Sequence, residues 1–465
     1  MLIHFNGAAR SVTGSQYLLE IGAKRLLLEC GLFQGRREDT YQRNLNFQFD
    51  VSTVDAVILS HAHIDHSGNL PNLVKTGYNG PIYATPPTCK LANLMLLDSG
   101  HIQEADTEFV SKKQFRRGLP PVKPLYTLAD AAKVEGHFRP VDYDHSFNPI
   151  PGVTVRFFEA GHILGSASVV LDIQENGKNF RFWFSGDIGR FKLPMLNDPI
   201  LPVDVDYVMM ECTYGDKVRT DPNNAKKELR DVILNTVKRG GKVIIPAFAV
   251  GRTQELLYDL HQLIISKELP PIPVYVDSPL AMNISMVFED FPQYYDAEAK
   301  TYLHAGSNDI FENKQLRFIE SADESKALND HREPMVIISA SGMAESGRIR
   351  HHLRNNIEDA RNTIVIVGWQ SPETLGRRLA EKETEVRIFG EWYKRKADVA
   401  TIGGFSAHGD QSMLLQYATS AISPRLKKII LVHGEPRSEE PFKQLLAGLK
   451  VPSIDYPELY STMEI

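Results

Sequence analysis

The sequence predicts an α/β protein in which a doubly wound α/β domain is inserted into a second, mixed α/β domain. Three observations predict this fold class. Short strand-like runs separated by turn residues fill the first 210 residues. From about Cys212, β-branched apolar runs alternate with helical segments, as fully buried parallel strands do. The pattern of short strand-like runs separated by turn residues returns near the end of the chain. We therefore expect 1–210 and 397–465 to form one domain and 211–396 to form the insertion.

The first part consists of short apolar runs with turn residues between them, a pattern that is typical of strands. The predicted strands cover residues 1–5, 15–21, 25–28, 56–60, 81–84, 153–159, 168–173 and 181–185. Helical stretches are expected after His66 and over residues 87–106. This mixture indicates sheets covered by helices.

The inserted part alternates strands and helices. The predicted strands are 242–246, 274–277, 335–339 and 363–368, and the predicted helices are 225–239, 253–267 and 347–357. Ligands of such folds bind at the carboxyl ends of the strands, where Arg252, Ser339 and Gly342 lie. The alternative is that these are ordinary turn residues. In the last part, strands are predicted at 398–402 and 428–432, each followed by a histidine.

Composition is that of a soluble globular protein, with 42% hydrophobic and 24% charged residues among 465. A net charge of −6 argues against a protein that coats nucleic acid by bulk attraction, although it allows a local basic channel. The three cysteines form no paired pattern, which fits a reducing cytosol. The N-terminal residues do not resemble a signal peptide, and no apolar run is long enough to span a membrane. We expect a cytoplasmic protein with no membrane partner.

The run from His61 to His66 places three imidazoles and a carboxylate directly after an apolar strand. His61 and His63, two residues apart on an extended backbone, point the same way and could hold one metal ion. Asp65 and His66, just past the turn, could reach a second ion. Neutral imidazole and carboxylate suit Zn²⁺, so we interpret the run as a zinc site. The alternative is a surface loop that happens to be rich in histidine.

Further polar residues follow strand ends elsewhere in the chain. His162 is the best candidate for a third ligand, and Asp187 could bridge two cations. The alternatives are that His162 is an ordinary surface histidine and that Asp187 belongs to a simple Asx turn. His408 and His433 each follow a predicted strand, and Glu211 ends another. A carboxylate beside an imidazole fixes its tautomer and favours its charged form, as a general acid requires.

Taken together, these residues resemble the metallo-β-lactamase superfamily, and more narrowly its β-CASP branch of nucleases, over essentially the whole chain. The closest likeness is to stand-alone prokaryotic relatives of the endonuclease subunit that cleaves pre-mRNA before polyadenylation. Among the superfamily motifs, the second is matched by His61, His63, Asp65 and His66, the third by His162 and the fourth by Asp187. Among the branch motifs, motif A is matched by Glu211, motif B by His408 and motif C by His433.

The resemblance implies an αββα sandwich with an inserted β-CASP domain, and a zinc-dependent ribonuclease that acts by a two-metal mechanism. It assigns His61, His63 and His162 to one zinc, Asp65, His66 and His433 to the other, and Asp187 between them. His408, oriented by Glu211, would protonate the leaving 3′ oxygen, so that His408, Glu211 and Asp65 are the expected catalytic residues. The inserted domain would bind the RNA backbone through Ser339, Ser341, Gly342, Arg252 and Arg377.

One residue departs from the family pattern. Glu29 stands where the first motif usually has an aspartate that supports the metal-binding histidines from behind. The extra methylene would shift the carboxylate by more than about 1 Å in an unrelaxed backbone. We therefore expect Glu29 to affect the rate and the metal affinity.

Several functions are compatible with these motifs. We expect an endonuclease, because the chain ends soon after His433 without an additional C-terminal domain. The expected partner is RNA, single-stranded rather than duplex. The alternatives are a 5′–3′ exoribonuclease of the same family, a superfamily hydrolase of a small substrate, and a non-catalytic subunit. The preference for RNA over DNA comes from the resemblance alone, and a homodimer is possible because such relatives are often dimers.

Overall fold

The computed structural model describes residues 1–35, 37–115, 118–218, 222–304, 310–311, 314–368, 370–371 and 373–465. The chain divides into two compact units. The first unit comprises Met1–Phe191, Asp198–Val218 and His408–Ile465. The second unit comprises Lys192–Asn197 and Arg219–Ala407. The second unit therefore interrupts the first, as the sequence predicts for an inserted domain.

The strands are short, and most carry buried apolar side chains. In chain order they are β1 (Leu2–Phe5), β2 (Tyr17–Ile21), β3 (Lys24–Leu28), β4 (Ala56–Ile58), β5 (Ile82–Ala84), β6 (Phe138–Pro140), β7 (Phe147–Ile150), β8 (Val153–Glu159), β9 (Ala167–Glu175), β10 (Lys178–Phe184), β11 (Tyr207–Glu211), β12 (Val243–Pro246), β13 (Val274–Val276), β14 (Leu316–Phe318), β15 (Val336–Ser339), β16 (Thr363–Ile366), β17 (Glu385–Ile388), β18 (Glu391–Lys394), β19 (Asp398–Thr401), β20 (Lys428–Val432), β21 (Ile454–Asp455) and β22 (Thr462–Glu464).

The helices are α1 (Arg37–Leu45), α2 (Ile64–Ser67), α3 (Leu70–Lys75), α4 (Pro86–Phe115), α5 (Leu128–Ala132), α6 (Pro222–Lys238), α7 (Arg252–Ile265), α8 (Pro279–Asp290), α9 (Ala297–His304), α10 (Ala322–Asp330), α11 (Ile349–Asn356), α12 (Leu375–Ala380), α13 (Gln411–Ser420) and α14 (Pro436–Ala447). Three of the predicted helices correspond to α6, α7 and α11. None of the helices in the described part of the chain has the length and apolar composition needed to cross a membrane.

Two seven-stranded sheets pack face to face in the first unit. One has the order β22-β1-β2-β3-β4-β5-β6, and the other has the order β21-β20-β11-β10-β9-β8-β7. Their inner faces share one apolar core, to which Phe5, Tyr17 and Ile58 contribute from one sheet and Phe157 and Phe184 from the other. Burying an apolar side chain of this size contributes roughly 1.5–3 kcal/mol. This core therefore holds the two sheets together.

The outer faces of both sheets are also covered. On the second sheet, Trp183 and Val208 point away from the shared core and pack with Tyr417 of α13 and Phe442 of α14. The Trp183 indole N–H donates a hydrogen bond of 2.6 Å to the Tyr417 hydroxyl. On the first sheet, the outward-facing Leu27 is fully buried. The αββα sandwich implied by the family resemblance is confirmed.

The second unit contains a six-stranded sheet with the order β14-β13-β15-β12-β16-β19. All of its neighbouring strands pair in parallel. The strands β12, β15 and β16 are buried at every position, because helices cover both faces of such a sheet. The predicted doubly wound layout is confirmed.

One predicted strand belongs to a different sheet from the one we expected. Sequence analysis assigns 398–402 to the resumed first domain, but β19 pairs in parallel with β16 and forms the edge of the second unit's sheet. Val399 packs in the core of that unit with Ile364 and Val386. The second unit accordingly extends to Ala407 rather than to 396, and β11 stays with the first unit.

Candidate metal centre

The predicted metal ligands follow the carboxyl ends of strands from both sheets of the first unit. His61 and His63 follow β4, and His162 follows β8. Asp187 follows β10, and His433 directly follows β20. Because these strands are held in register by the two sheets, loops that are distant in sequence converge on one point. The structure brings all seven predicted ligands together in two adjacent clusters.

The first cluster contains His61, His63, His162 and Asp187. The Nδ1 atom of His63 lies 3.1 Å from Nε2 of His61 and 3.1 Å from Nε2 of His162. The Asp187 Oδ2 atom lies 3.5 Å from Nε2 of both His61 and His162. Ligands at 2.0–2.1 Å from a tetrahedral zinc ion are about 3.3–3.4 Å apart. The four donor atoms are thus spaced like the corners of a zinc coordination shell.

The second cluster contains Asp65, His66 and His433. The Nε2 atom of His66 lies 3.3 Å from Oδ1 of Asp187 and 4.0 Å from Oδ2 of Asp65. The His433 ring lies 3.5 Å from each of these two carboxylates. Asp187 therefore presents Oδ2 to the first cluster and Oδ1 to the second, the arrangement of a carboxylate that bridges two cations.

Several of these donor atoms are buried without a well-formed hydrogen bond. Among the described residues, Nε2 of His66, Nε2 of His433 and Oδ1 of Asp187 have no hydrogen-bond partner. Buried polar atoms are nearly always paired, so three orphaned atoms that face one another indicate a missing common partner. Imidazole nitrogens and carboxylate oxygens are ligands that Zn²⁺ accepts. The residues fit a pair of divalent cations.

Burial keeps the histidines of the first cluster in the form that binds metal. It lowers the pKa of His63 to about 4, although Asp65 and Asp187 act in the opposite direction. Burial likewise holds the pKa of His61 and of His162 well below the usual range. These rings are therefore neutral at pH 7, with a lone pair free for a metal ion.

The second cluster favours positive charge. Burial opposes ionisation of His66, but the carboxylates of Asp187, Asp65 and Glu29 together outweigh it and raise the pKa of this imidazole well above the usual range. Burial also disfavours the Asp187 carboxylate, yet His433 and His66 hold its pKa well below the usual range. The Asp187 carboxylate stays anionic at neutral pH. This environment suits a cation, which would take the place of the proton on His66.

Glu29 fixes the orientation of two of the histidine rings. The fully buried carboxylate accepts hydrogen bonds from Nδ1 of His66 at 2.6 Å and from the Ser60 hydroxyl at 2.9 Å. The Ser60 oxygen in turn lies 2.9 Å from Nδ1 of His61 and can accept its proton. Both rings then carry the proton on Nδ1, which leaves Nε2 free to face the metal site.

Two residues that sequence analysis missed set ring tautomers. One is Ser60, which links Glu29 to His61. The other is Thr213, whose hydroxyl donates to the His433 carbonyl at 2.9 Å and lies 3.0 Å from Nδ1 of His433. The hydroxyl oxygen can accept the Nδ1 proton, so Nε2 is the free atom there too. Their positions next to His61 and Glu211 were the available clue in the sequence.

His408 and Glu211 form a pair beside the first cluster. The His408 Nδ1 atom lies 3.1 and 3.2 Å from the two Glu211 oxygens, and Glu211 also accepts from the Ile188 backbone N–H at 2.6 Å. Burial works against ionisation of His408, but Glu211 and then Asp187 outweigh it and raise its pKa to about 9. The ring is therefore protonated at neutral pH. Its side chain is 21% exposed, so its outer nitrogen can reach a substrate.

The predicted phosphate-binding turn lies in the second unit, and its first residue has another role. Ser339 is buried, and its hydroxyl donates to the Asp277 carbonyl at 2.8 Å. This hydroxyl is therefore already engaged, and contact between Ser339 and a phosphate stays a prediction. Ser341 exchanges hydrogen bonds of 3.3 and 3.5 Å with Ser346. A Cβ on Gly342 would come within 2.7 Å of a neighbouring phenylalanine ring.

Both predicted arginines form ion pairs within their own helices. Arg252 is buried and pairs with Glu255, and its guanidinium lies 5.9 Å from the centroid of the Phe405 ring. Arg377 is exposed and pairs with Glu381 at 2.6 Å. Contact between these arginines and RNA stays a prediction.

The chain matches three domain families: a metallo-beta-lactamase superfamily domain over residues 18–179, a Beta-Casp domain over 253–379, and a Zn-dependent metallo-hydrolase RNA specificity domain over 392–454. It is 37% identical over 441 residues to Ribonuclease TTHA0252 of Thermus thermophilus, covering 95% of each chain. It is 32% identical over 442 residues to the Transcription termination factor FttA of Methanosarcina mazei, covering 93% of this chain and 66% of that one.

The fold also resembles a crystal structure described as a protein of unknown function from Enterococcus faecalis V583. The TM-score is 0.56 at 11% identity, and the similarity covers 100% of this chain and 99% of that one. At this identity the likeness supports the fold alone.

Proposed function

Since this chain belongs to the metallo-β-lactamase superfamily and to its β-CASP branch, we propose that it is a zinc-dependent ribonuclease that hydrolyses RNA phosphodiester bonds. Members of this family are metal-dependent hydrolases, and the chain retains every ligand that its motifs predict. The observation that carries the proposal is the meeting of seven donor side chains with the His408–Glu211 pair at one point. The 37% identity to Ribonuclease TTHA0252 supports RNA as the substrate.

The donor atoms divide into two ligand sets that share one carboxylate. One set is His61, His63 and His162, the other is Asp65, His66 and His433, and Asp187 contributes one oxygen to each. When bound, two zinc ions would supply Lewis acidity to the attacking water and to the scissile phosphate. Glu29, Ser60 and Thr213 keep Nε2 of three histidines directed at the ions. This preorganisation removes the need for ring reorientation during the reaction.

His408 is the proposed general acid. Its Nδ1 is held by Glu211, so the proton on its outer nitrogen is available to the leaving 3′ oxygen as the P–O bond breaks. Water attacks phosphorus as this bond breaks, which yields a 3′-hydroxyl and a 5′-phosphate. One proton of the attacking water passes to solvent, and His408, left neutral, regains a proton from solvent. General acid catalysis of this kind typically contributes about 10²–10⁴-fold.

We propose an endonucleolytic mode, with 5′–3′ exonucleolysis as the alternative. A covalently closed circular RNA separates the two modes, because it has no 5′ end. We expect the enzyme to convert such a circle into linear fragments. If the circle survives while a linear RNA of the same sequence is degraded from its 5′ end, the exonuclease assignment replaces ours.

A hydrolase of a small substrate is the alternative within the superfamily. The Beta-Casp match over residues 253–379 argues against it, because a small substrate has no need of a large inserted domain. Cleavage of a labelled RNA oligonucleotide tests the choice directly. Inactivity on RNA alongside rapid hydrolysis of a thioester or lactam would exclude the ribonuclease.

Removing the metal ions is expected to abolish cleavage reversibly. The purified protein should contain about two zinc ions per chain, as two-metal hydrolases do. Dialysis against a chelator should stop RNA cleavage, and two equivalents of zinc should restore it. Metal content by mass spectrometry and the cleavage rate are the measurements, and cleavage that persists in metal-free protein would contradict the mechanism.

Replacing Glu29 with Gln is expected to weaken metal binding about 10–100-fold, the usual cost of losing a group that orients metal ligands. The amide keeps the shape of the side chain, but its NH₂ group must face either the Ser60 backbone N–H or the Ser60 hydroxyl and His66 Nδ1, so it cannot accept all three hydrogen bonds as the carboxylate does. Zinc affinity measured by competition with a chelating dye tests this. Glu20→Gln is the control, because Glu20 lies on β2 and forms a partly exposed ion pair with Arg25. Equal zinc affinity in the two variants would show that Glu29 does not support the ligands.

The remaining features are compatible with a cytoplasmic enzyme acting on single-stranded RNA. Cys30, Cys89 and Cys212 are all free thiols, which fits a reducing compartment. A single strand can be drawn into a site lined by metal ligands more easily than a rigid duplex.

A further inference from the structure

One surface of the second unit combines an exposed aromatic ring with arginines that have no acidic partner among the described residues. Phe389 lies at the tip of the β17–β18 hairpin and is 42% exposed. Its ring centroid is 4.2 Å from the Arg350 guanidinium carbon and 5.9 Å from that of Arg354. The His351 ring lies 4.6 Å away on the same side. We call Arg350, His351, Arg354, Phe389 and Trp392 the hairpin platform.

The backbone at the hairpin tip does not favour phenylalanine. Phe389 and Gly390 form the two-residue turn, with φ values of 52° and 91°. Two positive φ values in such a turn strongly favour Asn-Gly, and a bulky residue in this conformation is a genuine outlier. Core packing does not explain the choice, because Ile388 is buried while Phe389 is not. A strained position that carries an exposed ring points to a role in binding.

The charges around the ring are not balanced. Arg350 and Arg354 are one helical turn apart on α11, where like charges repel. In the described part of the chain, neither forms a hydrogen bond or ion pair with a carboxylate, whereas the nearby Arg348 binds Asp277 at 2.7 Å. An anionic ligand would relieve this repulsion. Two guanidinium groups beside a ring suit a phosphate next to a flat base.

The same hairpin presents a second exposed aromatic side chain. Trp392 is 64% exposed and lies directly opposite Arg387 in the strand register. Glu391 is the nearest acidic residue on the hairpin, and it accepts a hydrogen bond from Tyr393 at 2.8 Å. Within residues 387–396 there are four basic residues and one acidic residue. The hairpin thus offers two stacking surfaces within a basic segment.

We propose that the hairpin platform binds single-stranded RNA, with bases stacked on Phe389 and Trp392 and phosphates bound by Arg350 and Arg354. This inference rests on the proposed ribonuclease function and adds an RNA contact that lies wholly in the second unit. Only unpaired bases expose their faces for stacking, so the platform selects single strands over duplexes.

The first test removes the ring without damaging the turn. Phe389→Asn replaces an unfavourable residue with a preferred one, so the variant should be at least as thermally stable as the parent. Its dissociation constant for a nuclease-resistant phosphorothioate 20-mer RNA is expected to rise about 10-fold, the effect of losing one stacked base. Trp392→Thr, which keeps a residue suited to a strand, is expected to have a similar effect. Affinity for a duplex of the same length should not change.

The second test removes the charges. The double variant Arg350→Gln, Arg354→Gln should bind RNA more weakly. The slope of log Kd against log salt concentration should fall by about 1.4, because each phosphate contact to a single strand contributes about 0.7 to this slope. Arg361→Gln is the matched control, since Arg361 lies in the same unit but is paired with Asp359. We expect it to bind RNA like the parent.

The outcomes separate the two proposals. If the parent binds and cleaves RNA but the platform variants behave like Arg361→Gln, the proposed RNA-binding role of the hairpin platform is wrong. The proposed ribonuclease function is then unaffected. Equal weakening on single strand and duplex would exclude stacking. If the platform variants convert a dimer into a monomer by sedimentation without weakening RNA binding, the surface contacts another copy of this chain. A parent that neither binds nor cleaves RNA would overturn both proposals.

Discussion

Replacing Asp187 with Asn is expected to reduce RNA cleavage by about 10⁴-fold or more, the largest loss among single substitutions at the site. Asp187 is buried, and it is the group that faces both ligand clusters, with Oδ2 toward His61 and His162 and Oδ1 toward His66. Asparagine keeps the volume but removes the negative charge and places an N–H donor where a metal ligand is needed. Two nearby cations would then lose the carboxylate that neutralises part of their repulsion.

The measurement combines zinc content with cleavage rate. We expect Asp187→Asn to retain at most about one zinc per chain, since two close cations need the shared anion. Asp172→Asn is the matched control, because this residue lies on β9 of the same sheet but pairs with Arg181 near the surface. A variant at Asp187 that retains both zinc ions and cleaves RNA at close to the parent rate would overturn the two-metal assignment.

Replacing His408 with Ala is expected to reduce cleavage about 10²–10⁴-fold while both zinc ions remain bound. His408 contacts the Glu211 carboxylate and belongs to neither of the predicted ligand sets. The substitution therefore removes a proton donor without removing a metal ligand. His101→Ala, an exposed histidine on α4, serves as the control for general effects of losing an imidazole.

The leaving group offers a sharper test of this role. A substrate in which sulfur replaces the bridging 3′ oxygen expels a thiolate, which needs no proton from the enzyme. If His408 is the general acid, the His408→Ala variant should cleave this substrate nearly as fast as the parent does. A defect of the same size on both substrates would mean that His408 acts in another way, and loss of zinc from the variant would place it among the ligands.

The parts of the site that are close in sequence were predictable from the sequence. His61, His63, Asp65 and His66 fall within six residues, so their spacing alone indicates a metal site. His433 is far away along the chain, and only its position after a strand and the family resemblance connected it with them. Residue spacing cannot show that β20 lies beside β11 in the sheet.

Other features depended on tertiary structure. The strand β19 has the same apolar pattern as the strands of the first unit, and a strand pattern does not show which sheet it joins. Ser339 ends a predicted strand, but the sequence does not show that its hydroxyl bonds the Asp277 carbonyl. Thr213 and Ser60 are small polar residues of a common type, and their roles depend on contacts with ring nitrogens. Such contacts leave no trace in composition or periodicity.

The position of His433 determines which part of the chain completes the second ligand cluster. Its strand β20 inserts between β11 and β21, and its ring completes the second ligand cluster. A chain that stops before this residue contains every other predicted ligand but lacks the third member of the second cluster. The second cluster therefore forms only when the chain has returned from the second unit and β20 has joined the sheet beside β11.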